Sequence, residues 1–275
     1  MRIICLWIMA FCYCLFFSSA WGSELNKNNI LDKRITIYGG ARFYQAEGTF
    51  SSTRNGNSTA EVDMDDLGLD KNEVSAIGGV IYNFGKRWNL RFDYFGYHDD
   101  ALKTADKSFN FDDVNIPINA SLESSLDIDL YVINLAYNII HTQKARFGLG
   151  LGVHGIDFEL KIAGKVSVGS SEVSLGEGQE DFLAPIPNVW AYGAYALSER
   201  VVFRYGGGWM SASYDDFDGS LFLLNAAIEY WPFQNIGFGA GYNYLTADID
   251  YDPGYKKENY DVDLSGAIFY ITLGF

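Results

Sequence analysis

The sequence predicts an all-β protein: a single antiparallel up-and-down transmembrane β-barrel of ten strands. Three observations lead to this prediction. After residue 33, no stretch of 11 or more residues shows apolar side chains at helical spacing, whereas apolar and small or polar residues alternate repeatedly. Along the chain, the connections between these segments alternate between short turns and long loops, which is typical of such barrels. Barrels of eight or twelve strands are the alternatives.

Composition narrows the class of protein. The chain has 275 residues, of which 48% are hydrophobic and 16% aromatic, so a disordered chain is excluded. It carries 20 Lys and Arg against 35 Asp and Glu, a formal net charge of -15. Because no basic cluster is present, nucleic acid is not expected as a partner.

The first 20 residues have the features of a cleaved secretory signal peptide. Met1 and Arg2 precede an apolar run, residues 3–17, which is too short to span a bilayer as a helix, and the small residues Ser18 and Ala20 fit a cleavage site. Residues 21–34 are then a periplasmic lead and residues 35–275 the barrel. All the cysteines fall in the signal peptide, so the mature chain is expected to have no disulfide: Cys5, Cys12 and Cys14.

The strands are expected to be long enough to cross a bilayer at a tilt. The predicted strands are 35–46, 73–84, 88–98, 126–140, 145–159, 183–197, 200–213, 220–231, 236–250 and 261–275. Tight turns are predicted at 85–87, 141–144, 198–199 and 232–235, and polar loops at 47–72, 99–125, 160–182, 214–219 and 251–260.

The two faces of these strands indicate which face meets lipid. In the segment 236–244, one face carries apolar and aromatic side chains and the other mostly glycine. Small and neutral polar residues suit the confined interior of a narrow barrel, and the few charges on that face must pair inside it. The sequence therefore predicts a charge network in the lumen formed by Arg42, Arg91, Asp93, His154, Arg204 and Glu229.

The last strand ends in alternating apolar residues and a terminal phenylalanine: Phe269, Ile271, Leu273 and Phe275. This pattern resembles the C-terminal assembly signal of Gram-negative outer-membrane β-barrel proteins, of the small porin-like or OmpA-like class, without identifying a subfamily. The resemblance implies a location in the bacterial outer membrane, with extracellular loops and periplasmic termini. It also implies the outer-membrane assembly machinery, membrane lipid and lipopolysaccharide as partners.

Two classes of function follow. The first is a structural, surface-interaction or narrow-channel barrel with an acidic crown of extracellular loops, which could hold divalent cations loosely near lipopolysaccharide. The second is an outer-membrane enzyme, an omptin-like protease or a lipid A-modifying hydrolase, with His98, Asp99 and Asp215 at the rim. The sequence favours the non-enzymatic class; no catalytic set, cofactor or defined metal site is predicted.

Overall fold

In the computed structural model, ten long strands form a single antiparallel barrel. The structure describes residues 30–54, 57–58, 62–69, 73–111, 114–168, 171–214, 216–252, 254 and 256–275, so the predicted signal peptide lies outside the described residues. The barrel strands are β1 (Ile35–Arg54), β2 (Val74–Phe84), β3 (Trp88–Thr104), β4 (Ser121–His141), β5 (Ala145–Val168), β6 (Ser171–Ala196), β7 (Val201–Tyr214), β8 (Phe217–Tyr230), β9 (Ile236–Tyr251) and β10 (Lys256–Gly274).

Each strand pairs with the next along the chain, and β10 pairs with β1 to close the sheet. The closing register runs from Thr36 opposite Gly274 to Arg54 opposite Lys256. Near the turns, pairing on both sides leaves no barrel strand with an unpaired edge, which is the requirement for a sheet surrounded by lipid. Farther from the turns, one edge of β1, β3 and β6 has no barrel strand beside it within the described residues. The predicted fold class and the predicted ten strands are confirmed. Within the described residues, no helix is long and apolar enough to cross a membrane.

All five predicted loops contain strand residues, and the predicted loop 160–182 is almost entirely strand. β1 continues to Arg54, β3 continues to Thr104, and β5 and β6 pair from residue 145 almost to the hairpin tip at Val168 and Ser171. The two-residue alternation continues through these regions with its phase reversed. On β5, Leu160 and Ile162 are buried inside the barrel, whereas Glu159 and Lys161 face outward.

An apolar belt surrounds the outside of the barrel. On β4 the outward residues from 131 to 139 are all apolar or aromatic, and the next two outward residues are Asp127 and Asp129. Nine residues of a strand tilted by about 40° rise roughly 23 Å, which matches the apolar band of about 25 Å on membrane barrels. The belt on β4 consists of Tyr131, Ile133, Leu135, Tyr137 and Ile139.

The two ends of the barrel differ. The turn end carries the short connections near residues 85, 143, 199 and 233. The first residue of β1 and the last residue of β10 also lie at this end. The other end, the loop end, extends well beyond the belt and is covered by two segments, which we call the cap. The first is residues 62–69, with a short helix α1 (Met64–Leu67), and the second comprises residues 105–111 and 114–120, with paired strands Phe109–Phe111 and Val114–Ile116.

Candidate functional site

The interior of the barrel is divided into two layers along its axis. At the level of the belt, most inward side chains are polar, charged or small, with apolar exceptions such as Ile77, Val132 and Ile268. Beyond the belt, toward the loop end, they are mostly apolar and tightly packed, apart from charged residues such as Asp99 and Glu258, and the cap adds Leu67 and Ile116, neither of which is exposed at all. We call this second layer the loop-end core. Its barrel members include Tyr44, Phe50, Tyr97, Leu122, Leu126, Leu130, Ile156, Phe158, Leu160, Ile162, Leu221, Leu245, Ile249, Tyr260, Val262 and Leu264.

One ion pair in the belt-level lumen joins neighbouring residues of β3. Arg91 Nε lies 2.5 Å from Asp93 Oδ2, and the hydroxyl of Tyr38 donates a hydrogen bond to the other oxygen of Asp93. The guanidinium of Arg91 also lies 5.7 Å from the centre of the Trp190 ring. The carboxylate is therefore held by a charge and by a hydroxyl, as a buried charge requires.

A second ion pair lies on β7 and β8. Arg204 Nε is 2.8 Å from Glu229 Oε1. Trp231 Nε1 and the hydroxyl of Tyr270 each donate to Glu229 at 3.0 Å. The rings of Tyr270 and Tyr38 are 5.4 Å apart, so the two ion pairs belong to one connected cluster across the lumen. A cavity of about 50 Å³ lies between them.

The remaining two residues of the predicted charge network also face the lumen but have no carboxylate partner there. His154 is 1% exposed, and its Nδ1 lies 2.8 Å from Asn188 Nδ2. Arg42 is also 1% exposed and contacts the hydroxyl of Tyr44. The structure thus brings four of the six predicted residues together as two pairs and places the other two apart from them.

The turn end of the lumen is closed by residues that precede β1, a feature that sequence reasoning missed. Leu31 is buried against Trp231 and Val202, and Asp32 forms an ion pair with Arg146. The pKa of His141, which lies 3.6 Å from Asp32, is lowered by burial and by nearby cationic side chains. The predicted periplasmic lead therefore folds into the barrel mouth from residue 30 onward.

The rim residues proposed for an enzyme lie on opposite faces of the sheet. His98 faces outward, with Nε2 3.6 Å from Asp129 Oδ1. Asp99 faces inward, is 7% exposed and receives a hydrogen bond of 3.3 Å from the hydroxyl of Tyr97. Asp215 lies outside the described residues. The structure therefore does not join His98 and Asp99 into a catalytic pair.

Outward carboxylates form an acidic band directly beyond the belt. Several face each other across paired strands, such as Asp248 and Asp261. Among the residues that the structure describes, no three His, Cys, Asp or Glu side chains are grouped to hold a metal ion. The acidic band comprises Glu47, Asp127, Asp129, Asp157, Glu159, Asp218, Asp248, Asp250, Asp261 and Asp263.

The residues of the predicted assembly signal lie on the outer face of β10 and, for Phe275, directly after its end. Phe269, Ile271, Leu273 and Phe275 are between 37% and 60% exposed and belong to the belt. The carbonyl oxygen of Phe275 accepts hydrogen bonds from the backbone amides of Arg34 and Ile35, at 2.6 and 3.1 Å. The last residue is thus fixed at the seam where the barrel closes.

No family model and no curated protein matches the chain. Among solved structures, the outer membrane protease OmpT from Escherichia coli is similar, with a TM-score of 0.54, 8% identity, and coverage of 87% of this chain and 97% of that chain. OprG from Pseudomonas aeruginosa has a TM-score of 0.36 and 12% identity over 88% of this chain and 95% of its own. The translocator domain of the autotransporter NalP from Neisseria meningitidis has a TM-score of 0.43 and 12% identity over 88% of both chains. The chain has the fold of bacterial outer-membrane β-barrel proteins, a fold that serves diverse roles.

Proposed function

We propose that this chain is an integral protein of the bacterial outer membrane with a structural or surface-interaction role, whose lumen is closed to solutes. Its loop end faces the exterior and its termini face the periplasm. The observation that carries the proposal is the loop-end core, because apolar side chains fill the barrel across its full width just beyond the belt.

A conducting barrel needs a polar, water-filled path through its interior. The loop-end core offers packed apolar side chains instead, and the cap seals it from outside through Leu67 and Ile116. The cavity inside this core has a volume of only about 40 Å³. A narrow-channel role, the other non-enzymatic prediction, would require the cap and the core beneath it to separate.

The part of the barrel beyond the belt supplies the surface for interaction. Its outward side chains form the acidic band, which supports binding of cationic partners, or of anionic lipopolysaccharide through divalent cations. The geometry of His98 and Asp99 gives no support to the enzymatic alternative.

Planar lipid bilayers test the closed lumen. We expect the purified protein to insert without stepwise ohmic conductance. A variant that opens the cap and the core together, Leu67→Asp with Phe158→Ala and Tyr260→Ala, should raise the conductance, which shows that insertion itself is not limiting. Steady single-channel steps from the wild-type protein would contradict the proposal.

Single cysteines test the orientation in whole cells. An impermeant maleimide should label Asp250→Cys, in the acidic band, and leave Lys86→Cys, in the turn between β2 and β3, unlabelled until the cells are broken. The reverse pattern would overturn the proposed orientation.

A further inference from the structure

Arg42 differs from the other arginines that face the lumen. Arg91, Arg146 and Arg204 each form an ion pair with a carboxylate, namely Asp93, Asp32 and Glu229. Arg42 forms none with the described residues, although it is 1% exposed and is among the largest fully buried side chains. It lies on β1 where the belt-level lumen meets the loop-end core.

Only one of the three guanidinium nitrogens of Arg42 has a hydrogen-bond partner among the residues that the structure describes. One Nη donates to the hydroxyl of Tyr44, and the carbon at the centre of the group lies 4.4 Å from the Tyr44 ring and 4.7 Å from the Phe95 ring. Nε and the second Nη are buried and have no hydrogen-bond partner. The aromatic rings offset part of the charge but accept none of the in-plane N–H groups.

A buried cation without a counter-charge carries a large desolvation cost, and proteins normally meet that cost with an anion. Arg42 also lines the cavity of about 40 Å³, whose other walls are apolar and aromatic, including Tyr97, Phe158 and Tyr260. This volume corresponds to about three water-sized spheres, each of roughly 10–15 Å³. It admits a small ion and excludes a molecule the size of benzene, which occupies cavities of roughly 150 Å³.

We propose that this cavity binds one small monovalent anion, of the size of chloride or bromide, against the free N–H groups of Arg42. A single negative charge completes the pairing that the chain provides for its other lumen arginines. The apolar walls select an ion that sheds its hydration shell readily, so sulfate and phosphate are excluded by both charge and size. The site goes beyond the proposed function, and a closed lumen does not depend on it.

Crystals of the full-length protein grown with sodium bromide provide the direct test. The expected result is an anomalous bromide peak within hydrogen-bonding range of the Arg42 guanidinium and inside the cavity. The peak should be absent from crystals of Arg42→Met, which keeps most of the side-chain volume and removes the donors. A wild-type map that shows only water, or nothing, beside Arg42 would overturn the proposal.

A solution measurement covers the case in which Arg42→Met does not fold. In detergent, sodium bromide should raise the midpoint of heat unfolding of the wild-type protein by a few degrees over sodium gluconate, whose monovalent anion is too large for the cavity, at equal ionic strength. Arg200→Met, which changes an exposed arginine in a turn, should keep this difference. Equal midpoints in the two salts would count against a bound halide.

Discussion

The belt-level half of the barrel and its loop-end half use the same strands in opposite ways. On β10, Phe269 and Ile271 face outward and Tyr270 and Thr272 face inward at the belt. Nearer the loop end of the same strand, Val262 is buried inside and Asp261 and Asp263 lie outside. The strand keeps its two-residue period throughout. Its apolar side chains, however, lie on the outer face where lipid surrounds the strand and on the inner face where water does.

This exchange sets what stabilises each half. At the belt, lipid covers the apolar face, and the interior must satisfy its own charges by pairing, as Glu229 does with Arg204, Trp231 and Tyr270. Beyond the belt, the interior is a hydrophobic core of the kind found in soluble proteins, with water outside. Substitutions should therefore act through charge pairing in one half and through packing in the other.

The largest effect is expected from breaking the ion pair in the belt-level half. Glu229→Ala should lower the free energy of unfolding by about 3 kcal/mol, because the partly buried Arg204 is then left without a counter-charge and Trp231 and Tyr270 lose their acceptor. The double variant Arg204→Met with Glu229→Leu should recover most of this loss. Urea titrations of protein refolded into detergent measure both, and a double variant as unstable as the single one would argue against a pairing role.

A comparable loss is expected from the loop-end core. Leu160→Ala removes a fully buried side chain and should cost about 2–5 kcal/mol, since it leaves a cavity in packed surroundings. Leu151→Ala on the same strand is the matched control, because Leu151 is 69% exposed on the belt and lipid can fill the space. Similar losses for the two variants would show that the loop-end half is not packed as described.

The stability cost of a new charge on the outer face should depend on how far it lies from the middle of the belt. Leu135→Arg places a cation at the middle of the belt and should cost about 2–4 kcal/mol. Ser125→Arg places the same charge on the same strand and the same face beyond the belt, where the cost should be within about 0.5 kcal/mol. Refolding yield into lipid vesicles compares the two, and equal yields would place Ser125 within the bilayer or Leu135 outside it.

The smallest effect is expected when low pH breaks an ion pair in the cap, between Asp66 and Lys107. Burial tends to raise the pKa of Asp66, but the ion pair with Lys107, at 2.7 Å, and the backbone amide of Asp63 lower it overall. The stabilisation is therefore present above the unfolded value near pH 4 and is lost as the pH falls further through the lowered value. Between about pH 6 and pH 3, the wild-type protein should lose up to about 1 kcal/mol more than Asp66→Asn. Thermal midpoints at the two pH values measure this difference.

Most of the fold was predictable from local alternation, because each belt-level strand carries its own two-residue pattern. The predicted bounds of β2, at 73–84, agree within a residue with Val74–Phe84. The strand extensions are not predicted, because acidic residues are also typical of loops. In the segment from Leu126 to Leu130, apolar residues occupy the even positions and Asp127 and Asp129 stand between them, so a phase change at Tyr131 is visible in the sequence.

The site was less predictable because pairing depends on register between distant strands. The inward direction of Arg42, Arg91, Asp93, His154, Arg204 and Glu229 followed from their positions in the strands. An odd or even position in a strand does not reveal that Arg42 lacks a carboxylate partner among the described residues, or that Asp32 pairs with Arg146. Both facts depend on how the strands close into a barrel and on where the chain enters it at the turn end. A lone acidic residue before β1 carried no signal of that contact.

The exchange of faces along β4 is tested most directly by spin labels on single cysteines. The outward positions to label are 123, 125, 127, 129, 131, 133, 135, 137 and 139. In lipid bilayers, labels from 131 to 139 should collide mainly with oxygen, which partitions into lipid, and labels from 123 to 129 mainly with a water-soluble nickel chelate. A high ratio of oxygen to nickel collisions, as in lipid, at residues below 127 would contradict the described barrel. A low ratio, as in water, at residue 135 would contradict it equally.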